Sequence, residues 1–218
     1  MKYPKHEVYE SMYSKYLDEV SLKILMDLAG KDMTGKKVVD VCCGTGICTK
    51  EAIERNASKV VMLDAESDMI PATFRGSDKT PIIINKAKIA LGSLSWQEDF
   101  DIAISRQAVN YWFSEVTVKS LAKCLKAGGV FVFNTFNTRP SEKPKVKQYH
   151  YQDISFTEIS YVNPDDKVHH VQIRQGYPPH VAEFWWISPE KFDTILSPHF
   201  EIEKITRNRT DYYRCVKK

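Results

Sequence analysis

The residues best suited to chemistry lie in one short stretch of the chain. An apolar run ends in an aspartate, which is followed by two cysteines and two glycines, in the sequence Val38-Val39-Asp40-Val41-Cys42-Cys43-Gly44-Thr45-Gly46. A glycine-rich loop that leads into a helix exposes backbone N–H groups and can receive a ligand. Three kinds of site therefore have to be compared: a thiol or metal site, a phosphate-binding loop, and a loop for some other ligand.

A thiol or metal site is the weakest of these interpretations. Cys42, Cys43 and Cys48 do not have a CxxC spacing, and the neighbouring sequence contains no further cysteine or histidine pair that could complete four ligands. Small buried hydrophobic side chains are the simpler interpretation of these cysteines. We therefore expect no metal at this loop.

The two common phosphate-binding loops also fit poorly. No Gly-Lys-Ser/Thr follows, and Gly44-Thr45-Gly46-Ile47-Cys48-Thr49 lacks the third glycine of a dinucleotide loop. A carboxylate at Asp40 would repel a pyrophosphate at the helix N-terminus. The same carboxylate suits a ligand with positive charge, such as S-adenosylmethionine, which carries both a sulfonium and an ammonium group.

A second acidic residue, Asp64, ends the next apolar run, eighteen positions after Gly46. An acid in this position can accept hydrogen bonds from both hydroxyls of a ribose. The alternative is a solvated aspartate that caps the following helix, because aspartate is common in turns.

The elements that must position these residues alternate between strand and helix from residue 36 onward. Apolar runs predict strands over residues 38–41, 59–64, 81–85, 100–105 and 130–134, with helices over 49–56, 66–73 and 116–125. Before them, residues 7–30 have the spacing of amphipathic helices, and Gly30 ends the last one. This alternation predicts an α/β fold with a parallel sheet, which binds ligands beyond the carboxyl ends of its strands.

The last third of the chain has a different pattern. Residues 148–187 alternate polar and apolar types, which predicts antiparallel strands over 156–162, 168–173 and 181–187, with a turn at 163–166. Ser188-Pro189 predicts the start of a helix that runs to about Leu196. A closing hairpin is expected over residues 200–205 and 212–216.

In this order and spacing, the motifs resemble those of class I S-adenosylmethionine-dependent methyltransferases of the small-molecule type. Asp40-Val41-Cys42-Cys43-Gly44-Thr45-Gly46 matches the first motif of that family, acid-x-Gly-x-Gly-x-Gly, except that Cys42 replaces the first glycine. Asp64 matches the acid that binds ribose, and Met69-Ile70 falls where the family packs the adenine. The fourth strand, residues 100–105, and the turn at residues 125–129 also resemble family signatures.

The resemblance implies a Rossmann-like, doubly wound α/β fold with a seven-stranded sheet and an antiparallel last strand. An antiparallel β insert would lie between strand 5 and the closing hairpin. Residues 1–218 would form a single methyltransferase domain, divided into an N-terminal helical lid (1–35), a cofactor-binding core (36–136), a substrate-side insert (137–187), and a final helix and hairpin (188–218).

The resemblance also implies S-adenosylmethionine as cofactor, with S-adenosylhomocysteine as product. The residues expected to bind it are Tyr13, Asp40, Cys42, Gly44, Gly46, Asp64, Ala65, Met69, Lys86, Ala87, Ser105, Arg106 and Gln107. Lys86 stands where the family often has an acid for the adenine amino group, so adenine recognition is expected to use Asn85 or the backbone around Lys86-Ala87. No Asn-Pro-Pro-Tyr follows the fourth strand, which argues against the branch that methylates nucleobase amines.

The acceptor is expected beneath the insert, which is rich in aromatic side chains and contains four of the six histidines. A histidine base would help when the acceptor carries a proton. We predict His150 and His180 for this role, and Tyr16, Asn110, Tyr111 and Trp185 as substrate-binding residues. The alternative is that these aromatic side chains only pack the insert on the main sheet.

The composition of the chain limits the kinds of binding partner that we expect. The net charge is +3 and the sequence pI is about 8.5, which is mild for a nucleic-acid-binding protein, and the run Lys143-Pro144-Lys145-Val146-Lys147 is predicted to be a solvated loop. No apolar run reaches the roughly 18 residues that span a membrane, and no signal peptide is evident. We expect a cytoplasmic protein that transfers a methyl group by in-line displacement to an O, N or C atom of a small-molecule acceptor, a natural product or metabolite. The insert strands could pair in a homodimer. An RNA or protein methyltransferase, a silent cofactor-binding or dimerisation module, and a nicotinamide-dependent oxidoreductase remain as alternatives.

Overall fold

The computed structural model describes residues 19–75, 82–84, 99–151 and 154–218. The helices are α1 (Glu19–Ala29), α2 (Ile47–Glu54), α3 (Glu115–Cys124) and α4 (Pro189–Leu196). The strands are β1 (Lys37–Val41), β2 (Lys59–Asp64), β3 (Ile82–Ile84), β4 (Phe100–Arg106), β5 (Leu125–Phe136), β6 (Lys145–Tyr151), β7 (Ile154–Val162), β8 (Lys167–Arg174), β9 (His180–Trp185), β10 (Phe200–Arg207) and β11 (Thr210–Lys217).

The described strands form two sheets. The larger has the order β10-β11-β5-β4-β1-β2-β3, in which β3, β2, β1, β4 and β5 are parallel and β11 is antiparallel to both of its neighbours. The mixed α/β class expected from the sequence is confirmed. Because β1 pairs with β2 on one side and β4 on the other, the chain reverses direction across the sheet at β1, and a crevice opens beyond the ends of these strands.

Alternating side chains along the strands build a hydrophobic core on each face of this sheet. Val38 packs on one face with Leu25 and Met26 of α1, and Tyr212 Oη donates a hydrogen bond to Ser21 Oγ at 2.8 Å there. Val39 points to the other face, which α3 and α4 cover. The two cores fix the ends of β1, β2 and β4 relative to one another.

The second sheet is formed by the insert and has the antiparallel order β6-β7-β8-β9. Its strand β6 corrects the sequence analysis, because Lys145, Val146 and Lys147 belong to a strand and not to a solvated loop. The strand lies at one edge of the sheet, where lysines are common because they discourage pairing with other chains. Polar edge strands of this kind give only a weak apolar signal in a sequence.

The region after β2 also differs from expectation. Instead of one helix over residues 66–73, the chain forms two 3-10 turns, Ser67–Met69 and Ala72–Phe74. Pro71 separates them, since proline lacks a backbone donor and disfavours helical geometry in the residue before it. No helix in the described part of the chain is long and apolar enough to cross a membrane.

Candidate active site

A cavity of about 710 Å³ lies between the carboxyl ends of β1, β2 and β4 and the insert strands β8 and β9. Its volume falls in the range of about 300–1,000 Å³ that is usual for small-molecule sites. Eleven of the residues predicted from the sequence line it: Asp40, Cys42, Gly44, Asp64, Ala65, Met69, Arg106, Gln107, Tyr111, His180 and Trp185. The predicted residues Tyr13, Tyr16, Lys86 and Ala87 lie outside the described residues.

Asp40, near the end of β1, is the least exposed charged residue of the cavity wall, at 1%. Its Oδ2 accepts a hydrogen bond from Thr49 Oγ1 of α2 at 2.7 Å. The pKa of Asp40 is raised to about 7, mainly by burial and to a smaller degree by the nearby Asp64, against the opposing effects of the Thr49 hydrogen bonds and of Arg106. A cation bound beside Asp40 would stabilise the ionised carboxyl group and lower its pKa again.

Asp64, at the end of β2, joins two loops that border the cavity. Its Oδ2 accepts the Gly44 N–H at 2.8 Å, and its Oδ1 accepts the Glu66 N–H at 2.9 Å. Burial raises the pKa of Asp64, and the backbone donors of Glu66, Gly44 and Ala65 oppose that rise. The carboxyl group is thus held in place at the rim of the cavity.

Two residues of the cavity wall have left-handed backbone geometry. Cys42 has φ 57° just after β1, and Gln107 has φ 53° just after the neighbouring β4. This conformation costs a residue with a side chain roughly 1–2 kcal/mol, and such residues cluster at functional sites. It gives a physical reason for the glycine that the first motif of the family has where this chain has Cys42. The Gln107 N–H is held by Asn134 Oδ1 at 2.9 Å.

Arg106, the last residue of β4, brings positive charge to the cavity wall. Its Nε is buried and has no hydrogen-bond partner among the described residues. A buried donor without a partner is costly, so this atom favours an anionic or carbonyl group of a ligand. The cavity thus offers a carboxyl group and a guanidinium cation, which suit a ligand that carries both charges.

Two predicted cofactor residues lie outside the cavity wall. Gly46 has φ 78°, and a Cβ there would lie 2.7 Å from Phe74 Cε2 and 2.8 Å from Met62 Cε. Glycine at this position lets the start of α2 approach these side chains. Ser105 is fully buried, and its Oγ accepts a hydrogen bond from Trp112 Nε1 at 3.3 Å. Both residues therefore pack next to the site without lining the cavity.

Insert strands β8 and β9 form the other wall, which we call the roof and define as His170, His180, Ala182 and Phe184. His170, which was not among the residues predicted from the sequence, lines the cavity, whereas its neighbour His169 lies on the opposite face of β8. His169 Nδ1 is 3.0 Å from Glu183 Oε1, and its ring stacks on Tyr161 at 4.9 Å. The register of β7 with β8 decides which of the two histidines faces the cavity, and that register could not be read from the residue pattern.

Two residues predicted near the acceptor have other positions. His150 is exposed on β6, where its Nδ1 is 2.8 Å from Ser155 Oγ, and it does not line the cavity. β6 lies at the edge of the insert sheet opposite to β9, which explains this separation. Asn110 is buried beside a smaller cavity of about 200 Å³.

Asn110 serves as a link between the core and the insert. Its Nδ2 donates to the Trp185 carbonyl oxygen at 2.8 Å, and its Oδ1 accepts from Thr135 Oγ1 at 2.7 Å. Next to it, the rings of Tyr111 and Phe184 lie 5.3 Å apart. These contacts hold the roof over the ends of the parallel strands.

The cysteines of the first motif are not suited to act as thiolates. Burial is the main cause that raises the pKa of the Cys42, Cys43 and Cys48 thiols well above the usual value, and the nearby carboxylates add to it. Since the thiolate is the reactive form, these residues are small packing groups in the wall.

Comparison with known proteins agrees with this geometry. The family model described as "Methyltransferase domain" matches residues 13–175. This chain belongs to that methyltransferase family. The prediction of a class I S-adenosylmethionine-dependent methyltransferase, with S-adenosylmethionine as cofactor, is confirmed at the level of the family.

Several individual proteins are similar to this methyltransferase. It is 26% identical over 178 residues to the mitochondrial ubiquinone biosynthesis O-methyltransferase of Rattus norvegicus, covering 78% of this chain and 45% of that protein. The chain thus spans less than half the length of the curated relatives that it matches.

Solved structures show the same fold. An S-adenosylmethionine-dependent methyltransferase from Clostridium acetobutylicum has a TM-score of 0.74 at 18% identity, with 97% of this chain and 96% of that one covered. The S-adenosylmethionine-bound amino pentose methyltransferase of calicheamicin biosynthesis from Micromonospora echinaspora has a TM-score of 0.75 at 13% identity, with both chains fully covered.

Proposed function

We propose that this methyltransferase transfers the methyl group of S-adenosylmethionine to a heteroatom of a small metabolite or natural product. The observation that carries the proposal is the presence, in one cavity, of the buried Asp40 carboxyl group and of the Arg106 Nε, which has no hydrogen-bond partner among the described residues. S-adenosylmethionine carries positive charge on its sulfonium and ammonium groups and negative charge on its carboxylate, so these residues fit its methionine part.

Each residue of the core has a distinct task in this proposal. Asp40 balances the positive charge of the methionine part, and Arg106 binds its carboxylate. Asp64 accepts hydrogen bonds from the ribose hydroxyls, while Met69 packs against the adenine. The cofactor supplies a methyl group that is already activated by the sulfonium, so alignment of the acceptor provides much of the rate.

The acceptor would bind between the core and the roof, near Tyr111 and Trp185. Because the cavity is enclosed by the insert, a small molecule fits this space better than a folded RNA or protein. The rat relative is an O-methyltransferase of ubiquinone biosynthesis and the Micromonospora enzyme is an amino pentose methyltransferase, so both support a small-molecule acceptor. A homodimer and a cytoplasmic location remain predictions.

A methyl-transfer assay tests this proposal. Purified protein would be incubated with S-adenosylmethionine and a panel of catechols, sugars, amino sugars and bulk tRNA, and S-adenosylhomocysteine would be measured. We expect product with a small-molecule acceptor and at least a tenfold loss in Asp64→Ala, because a lost charge-assisted contact costs about 1.5–3 kcal/mol. The matched control is Asp68→Ala, an exposed aspartate on the same loop. Turnover of tRNA alone would refute the small-molecule proposal.

A further inference from the structure

The roof contains a cluster of polar side chains that binding of the cofactor does not require. His170 of β8 and His180 of β9 line the cavity opposite the first motif. Glu158 of β7 lies behind His170, with its Oε2 3.8 Å from His170 Nε2. A histidine pair that is largely withdrawn from solvent and backed by a carboxylate in a cleft is a frequent mark of a functional site.

The strand register places these groups on one face of the insert. His170 is opposite Ser160 and Ala182, while Gln172 is opposite both Glu158 and His180. Residues directly opposite each other, and those two positions apart, share a face of the sheet. Gln172 is 3% exposed, and its Oε1 has no hydrogen-bond partner among the described residues. The face of the insert that carries His170 and His180 therefore also carries Glu158 and Gln172, so polar groups are concentrated there.

We propose that His170 is the general base that removes the proton from a hydroxyl acceptor, and that Glu158 is the residue that positions it. This inference rests on the function proposed above and narrows its acceptor to an alcohol or phenol. It replaces His150, which lies away from the cavity, and it gives His180 the task of holding the acceptor hydroxyl.

The reaction balances with these groups. A lone pair of the acceptor oxygen forms the bond to the methyl carbon, and the carbon–sulfur bond breaks with its electron pair left on sulfur. The hydroxyl proton passes to the His170 ring, which becomes an imidazolium and later releases the proton to water. The positive charge of the sulfonium thus ends on the imidazolium, where the Glu158 carboxylate stabilises it.

The surroundings of His170 favour its neutral form, which can accept a proton. Burial and Lys147 of β6 lower the pKa of His170, and Glu158 opposes them. Burial and the neighbouring His170 lower the pKa of His180. Lys167 and Glu183, which also line the cavity, form an ion pair of 2.7 Å with each other. Both roof histidines are therefore neutral near pH 7, and a carboxylate beside Nε2 favours the proton on that nitrogen and leaves the lone pair on Nδ1.

The nature of the acceptor follows from this chemistry. A neutral amine already has its lone pair available and can lose its extra proton after the transfer. A hydroxyl is a much weaker nucleophile until its proton is withdrawn, so a base in the transition state accelerates this case by about 10²–10⁴-fold. A roof histidine that is backed by a glutamate is therefore most useful for a hydroxyl acceptor.

The test measures methyl transfer from S-adenosylmethionine to protocatechuate, catechol and methyl glucoside as hydroxyl probes, and to benzylamine, which has no hydroxyl group, as the amine probe. We expect turnover of a hydroxyl probe, with a kcat that falls as the pH drops below the pKa of His170. His170→Gln should lower kcat by about 10²–10⁴-fold and abolish that acidic limb. Glu158→Gln should lower kcat roughly tenfold and move the limb to lower pH, since the carboxylate that raises the pKa of His170 is gone.

The control is His199→Gln, which changes a histidine that precedes β10 outside the cavity, and it should leave kcat and its pH profile unchanged. Transfer to benzylamine but to no hydroxyl probe, no transfer at all, or an unaltered pH profile in His170→Gln would overturn the inference. Calorimetry with S-adenosylmethionine distinguishes a failure of the proposed function from a failure of this inference. A protein that does not bind S-adenosylmethionine refutes the proposed function as well. Intact binding with full turnover in His170→Gln refutes only the role of the base.

Discussion

Asp40 illustrates how burial changes the chemistry of a common residue. In water its carboxyl group would be ionised at any pH above about 4, whereas in the folded protein burial raises its pKa to about 7. The group can then respond to the charge of a ligand near neutral pH. The position of the aspartate is visible in the sequence, but the size of the shift depends on the side chains that bury it.

This shift predicts that cofactor affinity depends on pH. A cation stabilises ionised Asp40, so binding below pH 7 must release its proton, and the affinity for S-adenosylmethionine should rise about tenfold per pH unit from about pH 5.5 to 7 and then level off. Asp40→Asn should bind at least tenfold more weakly at about pH 7.5, without this dependence. Isothermal titration calorimetry at several pH values measures both effects.

The stability of the free protein provides an independent check on Asp40. The folded-state pKa lies above the unfolded value of about 3.9, so the stability that the protonated group contributes is complete below about pH 4 and is lost as the pH rises through about 7. Asp40→Asn should therefore raise the melting temperature by a few degrees, more at pH 8 than at pH 5. Asp165→Asn, at an exposed turn position, should show no such difference. An equal effect at both pH values would contradict the pKa shift.

Single residues of the candidate site could be predicted where they follow a strand directly. Asp40, Asp64 and Arg106 stand at strand ends that the apolar runs already marked, and the structure places all three on the cavity. His170 could not be chosen over His169 in this way, because a shift of one residue in the register of a strand exchanges its two faces. Asn110 could not be assigned either, because its partners Thr135 and Trp185 are distant in sequence.

Among the elements, helix α2 owes its position to the glycine that precedes it. Gly46 has φ 78°, and a side chain there would meet Phe74 and Met62 at less than 3 Å. Gly35 has a similar φ of 73° but has nothing within 4 Å of its Cβ position. A comparison of Gly46 with Gly35 therefore separates the cost of left-handed backbone geometry from the cost of steric overlap.

We predict that Gly46→Ala destabilises the protein more than Gly35→Ala. Both changes place alanine in the left-handed region, which costs roughly 1–2 kcal/mol, and only Gly46→Ala adds an overlap worth about 1–3 kcal/mol. Urea denaturation measures the free energy of unfolding of both variants. Equal losses in the two variants would show that α2 moves away from Phe74 and Met62 without cost.

Elements with strong apolar runs could be predicted, and polar ones could not. The strands β1, β2 and β4 are buried on both faces and give continuous apolar runs, so their positions agree with expectation. Strand β6 is an exposed edge strand with alternating lysines, which looks like a solvated segment in the sequence. Pro71 divides the expected helix into two 3-10 turns, a break that apolar spacing alone does not reveal.

At the scale of the whole molecule, the site depends on how the insert is held over the parallel sheet. Asn110 bridges Thr135 of the core and the Trp185 carbonyl of the insert, and Phe184 packs between Tyr111 and Phe136. Because the cofactor side and the roof come from separate sheets, this junction sets the distance between them.

We predict that Asn110→Ala loosens the roof and leaves the core intact. The change leaves the buried Thr135 hydroxyl and the partly buried Trp185 carbonyl without their partner, which costs about 1–3 kcal/mol. Hydrogen–deuterium exchange should become faster in β9 and remain unchanged in β1. Turnover should fall while the affinity for S-adenosylmethionine is retained. Unchanged protection of β9 would contradict the role of Asn110 as the link between the two sheets.

The proposed cofactor site is tested most directly by calorimetric titration of the purified protein with S-adenosylmethionine, and in parallel with NAD, at about pH 7.5. The cavity with Asp40, Asp64 and Arg106 predicts one-to-one binding of S-adenosylmethionine, weakened at least tenfold in Asp64→Ala, and no measurable heat with NAD. Absence of S-adenosylmethionine binding, or tighter binding of NAD, would contradict the assignment of this cavity as an S-adenosylmethionine site.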